Sequence, residues 1–377
     1  MAPVPADRAG ELRADDLRAG GLAAAESVEP LVFNPNNAVT GAVERLRLTD
    51  GTSVVRKVLR GDAPATVAHW AAGANPTHWN HWRREADAYD SGAVRAFEPH
   101  VRAPQLLARV SSRPGREVLF LEDVDGPSGF DLRAEHLVTA AGALGRAQGA
   151  PATAQWPGFH SASREWMWAY SCSRPPGPGG YLDARSWEHP VVVEGFGEQR
   201  HELRRRFGEL LGELWWWRRV SAACPRTFCH LDFWSPNLIV DNAGPVLVDW
   251  AFCGVAAVGE DAGNLVPDVM LDHQFAPEDY DTFDRAVWRS YADGLVAAGW
   301  THPPELARLA SCATVARYAW LPAAMVANAD HVGPTGYAGR DGLALVEVFT
   351  RRRSVLLSML ERLDEARALV AETGLAG

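Results

Sequence analysis

The spacing of apolar residues changes once along the chain, and this change limits the fold more than any other feature. Between Pro30 and Asp125, short segments alternate apolar and polar residues with a period of two, which is typical of β-strands, and one helical stretch interrupts them. Beyond this region the apolar residues recur at three- and four-residue spacing over long stretches, which is typical of helices. The sequence therefore predicts an α+β protein with a small β-rich lobe over residues 29–125, a larger mainly helical lobe over residues 126–377, and an N-terminal extension over residues 1–28.

The composition indicates a cytoplasmic protein that acts on a small molecule. Of the 377 residues 47% are hydrophobic, enough to bury a large core, and the formal net charge is −10. This charge argues against nucleic acid as a partner, because binding a polyanion requires an excess of Lys and Arg. No apolar run reaches the roughly 18 residues of a membrane helix, and residues 1–28 lack the apolar centre of a secretion signal. Five cysteines without a CxxC pair indicate free thiols. We expect a monomer or a homodimer with no membrane partner.

Only one of the 37 basic residues is a lysine, and its position is informative. Lys57 lies in the second strand of a predicted hairpin whose turn contains Asp50 and Gly51. By period-two alternation it shares a face with Val55 and Leu59. A surface lysine would more often lie on the polar face of such a strand. Lys57 is therefore a candidate functional residue.

An acidic residue follows on the next predicted helix. This helix covers residues 78–92, where Trp82, Ala86 and Tyr89 form an apolar stripe and Glu85 lies beside it. A lysine on a strand followed by an acid on a helix is the order in which phosphoryl-transfer sites place a phosphate-binding lysine and the acid that orients it.

One non-helical segment interrupts the helical half of the chain and collects polar residues. Residues 227–254 contain a predicted hairpin, with His230, Asp232 and Asn237 before it and Asp249 at its far end. Phosphoryl transfer needs an Asp to accept the proton of the acceptor hydroxyl, and an Asn and an Asp as oxygen ligands for Mg²⁺. A rigid hairpin between the two oxygen ligands would hold them in register.

Ordinary turn formation is the alternative interpretation of this segment. Loops before hairpins collect Asp, Asn, Ser and Pro because these residues favour turns, and a lone His-x-Asp occurs by chance. Two observations favour the functional interpretation. Lys57 and Glu85 occur in the expected order, and Asp249 ends an apolar strand, where a charge would otherwise be costly to bury.

Six segments carry a resemblance to a known family. They are GTSVVRKVL, HWRREADAYDSG, VLFLEDV, CHLDFWSPNLIV, LVDWAF and GEDAGNLVPD. Together they resemble the aminoglycoside phosphotransferase and choline-kinase-like family of small-molecule kinases, from about Val32 to the C-terminus. The resemblance implies a bilobal protein-kinase-like fold, with the nucleotide-binding sheet in the N-lobe. The Asp249-Trp250 pair replaces the Asp-Phe-Gly of protein kinases, which disfavours a protein substrate.

The resemblance also implies a role for each matching residue. Lys57 would contact the α- and β-phosphates of the nucleotide, and Glu85 would position Lys57. The implied catalytic residues are Asp232 and His230, with Asp232 as the base, and the implied Mg²⁺ ligands are Asn237 and Asp249.

Further nucleotide contacts follow from the same resemblance. The hinge that holds adenine would span Leu121 to Val124, so that Glu122 and Val124 would bind the nucleotide. The loop over the phosphates would fall at residues 36–41, with contacts from Thr40 and backbone amides. The sequence departs from the family where a Gly after the catalytic His is common, because Leu231 stands there.

Four residues are candidates for binding the acceptor. Asp268 and Asp272 belong to an acidic stretch that would suit a polyamine, whereas Asp261 has the family position of a residue that braces the catalytic loop. Trp168 and Trp234 are the aromatic candidates, although most tryptophans are expected in the core.

These observations predict a small-molecule kinase that transfers the γ-phosphoryl group of ATP or GTP, with Mg²⁺, to a hydroxyl of an aminoglycoside-like or other antibiotic, as in antibiotic resistance. A kinase for a metabolic alcohol such as choline, homoserine or a sugar is the first alternative. A nucleotide-binding module without activity is the second. A pocket lined by tryptophan with few acids would instead favour a nucleoside or a substrate with an apolar tail.

Overall fold

A five-stranded antiparallel sheet forms the first part of the chain in the computed structural model, which describes residues 6–150, 156, 158–161, 166–177, 179–330 and 342–375. The strands are β1 (Ala25–Pro30), β2 (Thr40–Leu48), β3 (Ser53–Arg60), β4 (Leu106–Arg113) and β5 (Arg116–Glu122). Their order across the sheet is β1-β2-β3-β5-β4. The central position of β3, between β2 and β5, fixes the strand that carries Lys57 on both sides.

The two faces of β3 have different neighbours. Val54 and Val58 point to the outer face, where Leu17 of helix α1 (Ala6–Ala19) packs against them. Lys57 points to the inner face, toward helix α2 (Arg84–Ser91), which carries Glu85. Period-two alternation thus places the lysine on the face that meets the rest of the molecule.

Helix α1 is anchored to the outer face by charge as well as by apolar contact. Asp16 on α1 is 2% exposed and accepts hydrogen bonds from Arg56 and from Arg116, the latter at 2.7 Å and 2.6 Å. The Asp16 carboxylate satisfies two buried guanidinium groups, which would otherwise be strongly destabilising. Residues 1–28 therefore contain a helix and the start of a strand that both contact the sheet.

The second part of the chain is mainly helical, and the α+β bilobal fold class is confirmed. Its helices are α3 (Ala134–Gly149), α4 (Trp166–Cys172), α5 (Gly179–Leu182), α6 (Ala184–Trp187), α7 (Pro190–Phe196), α8 (Gln199–Ala223), α9 (Glu260–Leu271), α10 (Tyr280–Ala297), α11 (Pro304–Ala313), α12 (Leu321–Ala327) and α13 (Leu345–Thr373). No helix among the described residues is long and apolar enough to cross a membrane.

One predicted helix is wrong in its continuity. The periodicity over residues 305–329 predicts a single helix, but a 3₁₀ turn at Thr314–Tyr318 separates α11 from α12. Pro322 is one reason, because proline has no N–H to donate and its ring clashes with the carbonyl four residues earlier, at Tyr318. The break leaves Arg317 and Tyr318 on a 3₁₀ turn rather than on an α-helix.

Two sheets of two short strands each lie within the helical part. Strand β6 (Arg226–Cys229) pairs with β9 (Gly254–Ala257), and β7 (Leu238–Asp241) pairs with β8 (Gly244–Leu247). The loops between these strands carry the predicted catalytic segment.

Candidate functional site

Lys57 forms ion pairs with two carboxylates from different parts of the chain. Its Nζ lies 2.6 Å from Oε2 of Glu85 and 2.8 Å from Oδ1 of Asp249. Lys57 and Glu85 are buried, whereas the Asp249 side chain is 40% exposed. Burial alone would lower the pKa of Lys57, but the charges of Asp249 and Glu85 outweigh it and raise that pKa. The lysine is therefore held as a cation, and Asp249 keeps an open side.

Asp232 and Asn237 lie together at the start of the β7–β8 hairpin. Asn237 Nδ2 donates to Oδ2 of Asp232 at 2.8 Å and to its backbone oxygen at 2.9 Å. The backbone N–H of Val248 donates to the carbonyl of Asn237 at 3.0 Å, so Asn237 is adjacent to the strand end that leads into Asp249. The hairpin register thus brings the backbone of Asn237 next to the residue before Asp249, although the sequence separates Asn237 and Asp249 by twelve residues.

Two residues of this site have left-handed backbone conformations. Leu231 has φ +64° and Asp249 has φ +61°, values that cost free energy for any residue other than glycine. Asp261 at the start of α9 stabilises the first of these. Its Oδ1 accepts the backbone N–H of Leu231 at 2.7 Å, and its Oδ2 accepts that of His230 at 2.8 Å. A side chain is thus tolerated where the family commonly has glycine.

A buried network supports Asp261 in turn. Gln148 on α3 donates to Oδ2 of Asp261 at 2.8 Å, and Tyr291 on α10 donates to Oε1 of Gln148 at 2.7 Å. Burial raises the pKa of Asp261 to about 6, although the three N–H donors oppose this shift. The predicted bracing position of Asp261 is therefore connected to two long helices.

His230 is completely buried and contacts the backbone. Its Nε2 lies 3.1 Å from the carbonyl of Val248, so that nitrogen carries the proton and donates. Burial lowers the pKa of His230 to about 4. The imidazole of His230 is therefore neutral and hydrogen-bonded to Val248, the residue before Asp249. This contact favours a positioning role for His230 over the catalytic role that the sequence predicts.

Electrostatics around Asp232 differ from those of an exposed carboxylate. Burial and the negative charge of Asp249 raise the pKa of Asp232 to about 7, while Arg317 lowers it and Asp268 raises it. Arg317 forms an ion pair with Asp268 at 3.3 Å, and Tyr318 donates a hydrogen bond to the same carboxylate.

The two acids predicted to bind a polyamine are both paired with arginine. Asp268 is occupied by Arg317, and Asp272 at the end of α9 lies 3.7 Å from Arg352. Sequence spacing gave no sign of these partners, because Arg317 and Arg352 are 49 and 80 residues further along the chain. The described structure therefore contains no unpaired acidic wall made by Asp268 and Asp272.

The other predicted contact residues occupy separate places. The Trp234 ring meets Phe130 edge-on at 6.2 Å beside the catalytic loop. Thr40 begins β2, opposite Leu59 on β3, and follows the loop between β1 and β2. The side chain of Trp168, on α4, lies outside the described residues.

The predicted hinge is linked to the β7–β8 hairpin by a residue that the sequence did not single out. Arg102 donates to Glu122 at the end of β5 at 2.8 Å and to Asp241 in the β7–β8 hairpin at 2.6 Å. The Glu122 side chain is thereby occupied, and its backbone N–H donates to the carbonyl of Gln105 at 2.9 Å. Val124, two residues on, is buried.

Arg84 was also missed, and it has an unusual environment. It is 1% exposed, and burial lowers its pKa to about 10. Instead of a carboxylate, its guanidinium contacts four backbone carbonyls, those of Pro76, His78, Trp79 and Ala251. Ala251 lies two residues after Asp249, so Arg84 joins the loop before α2 to the segment that carries Asp249. The sequence offers no signal for this role.

Replacing Arg84 with methionine is expected to lower the free energy of unfolding by at least about 3 kcal/mol, because several buried carbonyls lose their donors. Urea denaturation followed by circular dichroism measures the change. Arg83→Met is the matched control, since Arg83 pairs with Asp87 on a side chain that is 42% exposed and should cost less than about 1 kcal/mol. Equal effects of the two substitutions would contradict the structural role of Arg84.

Comparison with known proteins shows the family of the chain. The model of the phosphotransferase enzyme family, APH, matches residues 46–307. The comparison with curated proteins finds no match.

Three solved structures share the fold. Amicoumacin kinase hAmiN, in complex with AMP-PNP, Ca²⁺ and Ami, is 12% identical, with a TM-score of 0.54 and 94% of each chain covered. An aminoglycoside phosphotransferase from Alicyclobacillus acidocaldarius is 14% identical, with a TM-score of 0.52, covering 99% of this chain and 96% of the other. A choline/ethanolamine kinase family protein from Mesorhizobium loti is 15% identical, with a TM-score of 0.51, covering 95% and 98%.

Proposed function

Because the chain belongs to the phosphotransferase enzyme family, we propose that it transfers the γ-phosphoryl group of ATP or GTP to a hydroxyl group of a small molecule. The observation that carries this proposal is the ion pair between Lys57 and Asp249. It joins the only lysine of the chain, on strand β3, to the residue that ends the hairpin after Asp232. A turn-forming segment without function would have no need for a buried lysine at this position.

The residues present fit a divalent metal ion. Asn237 and Asp249 offer an amide and a carboxylate oxygen, the hard ligands that Mg²⁺ prefers, and the Asp249 side chain is accessible. The described residues contain no cluster of three His, Cys, Asp or Glu side chains. We therefore propose that Asn237 and Asp249 hold the metal together with oxygens of the nucleotide. When bound, Mg²⁺ would neutralise charge on the phosphates.

The nucleotide would be held by the sheet and the hinge. Lys57 is a cation on the inner face, and the proposed contacts of its Nζ are the α- and β-phosphates, with Glu85 keeping it in place. The backbone carbonyl of Glu122 and the backbone of the buried Val124 would bind adenine. Thr40 and the amides before β2 would cover the phosphates.

Asp232 would act as the base. As the acceptor oxygen forms its bond to the γ-phosphorus, the hydroxyl O–H bond breaks and its proton passes to the Asp232 carboxylate. The bond from the γ-phosphorus to its bridging oxygen breaks, and the nucleoside diphosphate leaves with that electron pair. Asn237 holds Oδ2 of Asp232, which leaves Oδ1 for the acceptor. His230 would position Asp249 through the backbone of Val248.

This role of Asp232 predicts a pH dependence. Its pKa of about 7 means that the carboxylate becomes protonated, and unable to accept a proton, as the pH falls below 7. We expect kcat/KM to fall about tenfold per pH unit well below that value. His230, with a pKa of about 4, should not contribute above pH 5. A profile that stays flat from pH 8 to pH 5.5, with the fold intact by circular dichroism, would contradict a base of this kind.

The acceptor is proposed to be a natural product such as an antibiotic, with a role in resistance. According to their names, the fold neighbours act on different acceptors, which include amicoumacin and aminoglycosides. The metabolic-alcohol alternative is supported by the choline/ethanolamine kinase family neighbour. An aminoglycoside-like polycation would be bound by Asp268 and Asp272, but both of these acids are paired with arginines.

A screen of nucleotide consumption tests the proposed function. The protein is incubated with Mg-ATP or Mg-GTP and a panel of antibiotics and metabolic alcohols, and phosphorylated products are identified by mass spectrometry. We expect at least one acceptor to gain a single phosphoryl group, with one nucleoside diphosphate released for each. Tight nucleotide binding without product from any acceptor would favour a binding module without activity.

A further inference from the structure

An aromatic wall lies where the sheet-containing part meets the helical part. We define it by Trp70, which precedes α2, and by Tyr170, Arg174 and Trp320 of the helical part. The Arg174 guanidinium carbon lies 5.1 Å from the Trp70 ring centre, 4.8 Å from that of Tyr170 and 4.0 Å from that of Trp320. All four side chains are half-buried, so part of the wall faces solvent. Packing around the Arg174 guanidinium holds the three aromatic rings in fixed orientations.

The wall borders the proposed catalytic site on its base side. Ser171, next to Tyr170, donates to the carbonyl of Arg317 at 2.8 Å. The hydroxyl of Tyr318, the residue after Arg317, lies 3.3 Å from Oδ1 of Asn264. Asn264 in turn donates to the carbonyl of Phe233, the residue after Asp232, at 3.4 Å. The wall therefore adjoins the residues that surround the proposed base.

A second chain of contacts connects the wall with the metal-binding side. Trp79 meets Tyr170 edge-on at 5.3 Å and lies 6.0 Å from Phe252. Phe252 is three residues beyond Asp249 in the sequence. The wall thus adjoins both sides of the site at which an acceptor hydroxyl would have to approach.

Two buried N–H donors in the wall have no hydrogen-bond partner among the described residues. They are Nε of Arg174 and Nε1 of Trp320. A buried donor without an acceptor costs about 1–3 kcal/mol, so acceptor atoms of a bound molecule would be favourable there. These two donors favour a bound molecule that carries oxygen or nitrogen acceptors over a purely apolar one.

The charge of this region opposes a cationic ligand. The wall contains Arg174, and the adjoining surface contains Arg317, whose acidic neighbour Asp268 is already paired with it. A polyamine would meet like charge here, whereas a neutral or anionic ring could stack on the indoles.

We propose that the acceptor is a flat aromatic hydroxyl compound without positive charge, which packs against Trp320 and its neighbours in the wall and presents its hydroxyl to Asp232. This inference rests on the proposed function and narrows its acceptor to a substrate class. It makes Trp320 a specificity-determining residue.

Acceptor competition tests the proposal in the full-length enzyme with Mg-ATP. One arm contains uridine and 4-hydroxyphenethyl alcohol, and the other contains the aminoglycoside kanamycin. We expect kcat/KM for the better aromatic probe to exceed that for kanamycin at least about tenfold. Trp320→Ala should raise the KM for the aromatic probe about tenfold, the value of one lost stacking contact, with the KM for ATP unchanged.

Two further variants separate recognition from stability. Trp320→Phe keeps a ring and should restore most of the affinity for the aromatic probe. Trp215→Ala is the matched control, because Trp215 also lies under an arginine, Arg218 at 3.8 Å, but is 47% exposed on α8. It should leave every constant unchanged.

The outcomes are distinguishable. Preference for kanamycin, or an unchanged KM for the aromatic probe in a folded Trp320→Ala, overturns the inference and leaves the proposed function standing. No phosphorylation of the aromatic probes also overturns the inference when another acceptor from the nucleotide-consumption screen is phosphorylated. No phosphorylation of any acceptor in that screen counts against the proposed function, and the inference falls with it.

Discussion

Asp232→Asn is expected to abolish acceptor phosphorylation, with a loss in kcat on the order of a thousandfold, because removing a positioned general base costs about 10²–10⁴ in rate. Asparagine preserves the shape of the side chain and can still hydrogen-bond Asn237, so the loop should keep its conformation. Nucleotide affinity should remain near the wild-type value, since Asp232 makes no contact with Lys57 or Asp249 in the described structure. Product formation measured by mass spectrometry and nucleotide binding measured by calorimetry give the two halves of this result.

Asp241→Asn is the matched control for the loss of one aspartate charge. Asp241 lies in the β7–β8 hairpin that follows Asp232, and its carboxylate pairs with Arg102 at 2.6 Å. Its replacement should leave kcat within a few-fold of wild type. Near-normal turnover by Asp232→Asn would refute the assignment of the base.

Lys57→Arg is expected to cripple nucleotide use although it keeps the positive charge. Lys57 is buried, with its ammonium between Glu85 and Asp249 at 2.6 Å and 2.8 Å. A planar guanidinium is larger and cannot occupy this space as a point charge, and overpacking costs about 1–3 kcal/mol. We expect kcat/KM for ATP to fall at least about tenfold, and by more if the arginine displaces Asp249.

Arg47→Lys tests the reverse exchange at a neutral position. Arg47 is exposed on the adjacent strand β2. Exchanging its basic group should change neither the melting temperature nor the kinetics measurably. If Lys57→Arg behaved in the same way, the single lysine would be a coincidence of composition.

The sequence predicted the fold class and the contact between Lys57 and Glu85 for a physical reason. Strand alternation fixes the face of Lys57, and helical periodicity fixes the position of Glu85, so both follow from local patterns. The pairing of Asn237 with Asp232 is also local, because only five residues separate them. A family resemblance added the expectation that Asp249 would join them. The catalytic and metal-binding roles themselves stay predictions.

The rest of the site depends on partners that are distant in the sequence. The negative charge of Asp268 suggested a cation-binding wall, but Arg317 forms an ion pair with this carboxylate. Arg317 lies on the 3₁₀ turn that separates α11 from α12. Arg84 has no periodic or spacing signal, because its partners are backbone carbonyls in an irregular loop. Likewise the anchoring of α1 needs Asp16 to meet Arg116, 100 residues away.

The aromatic candidates illustrate the same limit. The sequence placed a substrate-binding tryptophan on the segment that forms α4, and Tyr170 on that helix does contribute to the wall. Trp70 and Trp320, however, come from segments about 250 residues apart. Only the tertiary fold brings these rings around Arg174.

Phosphoryl transfer from ATP to an acceptor, measured in parallel for the wild type and Asp232→Asn, tests the central claim most directly. With an acceptor from the screen, the wild type is predicted to form one phosphorylated product for each ADP, while the variant binds Mg-ATP equally well and forms none. Equal product from both proteins, or ADP formation by neither despite bound Mg-ATP, would contradict the account.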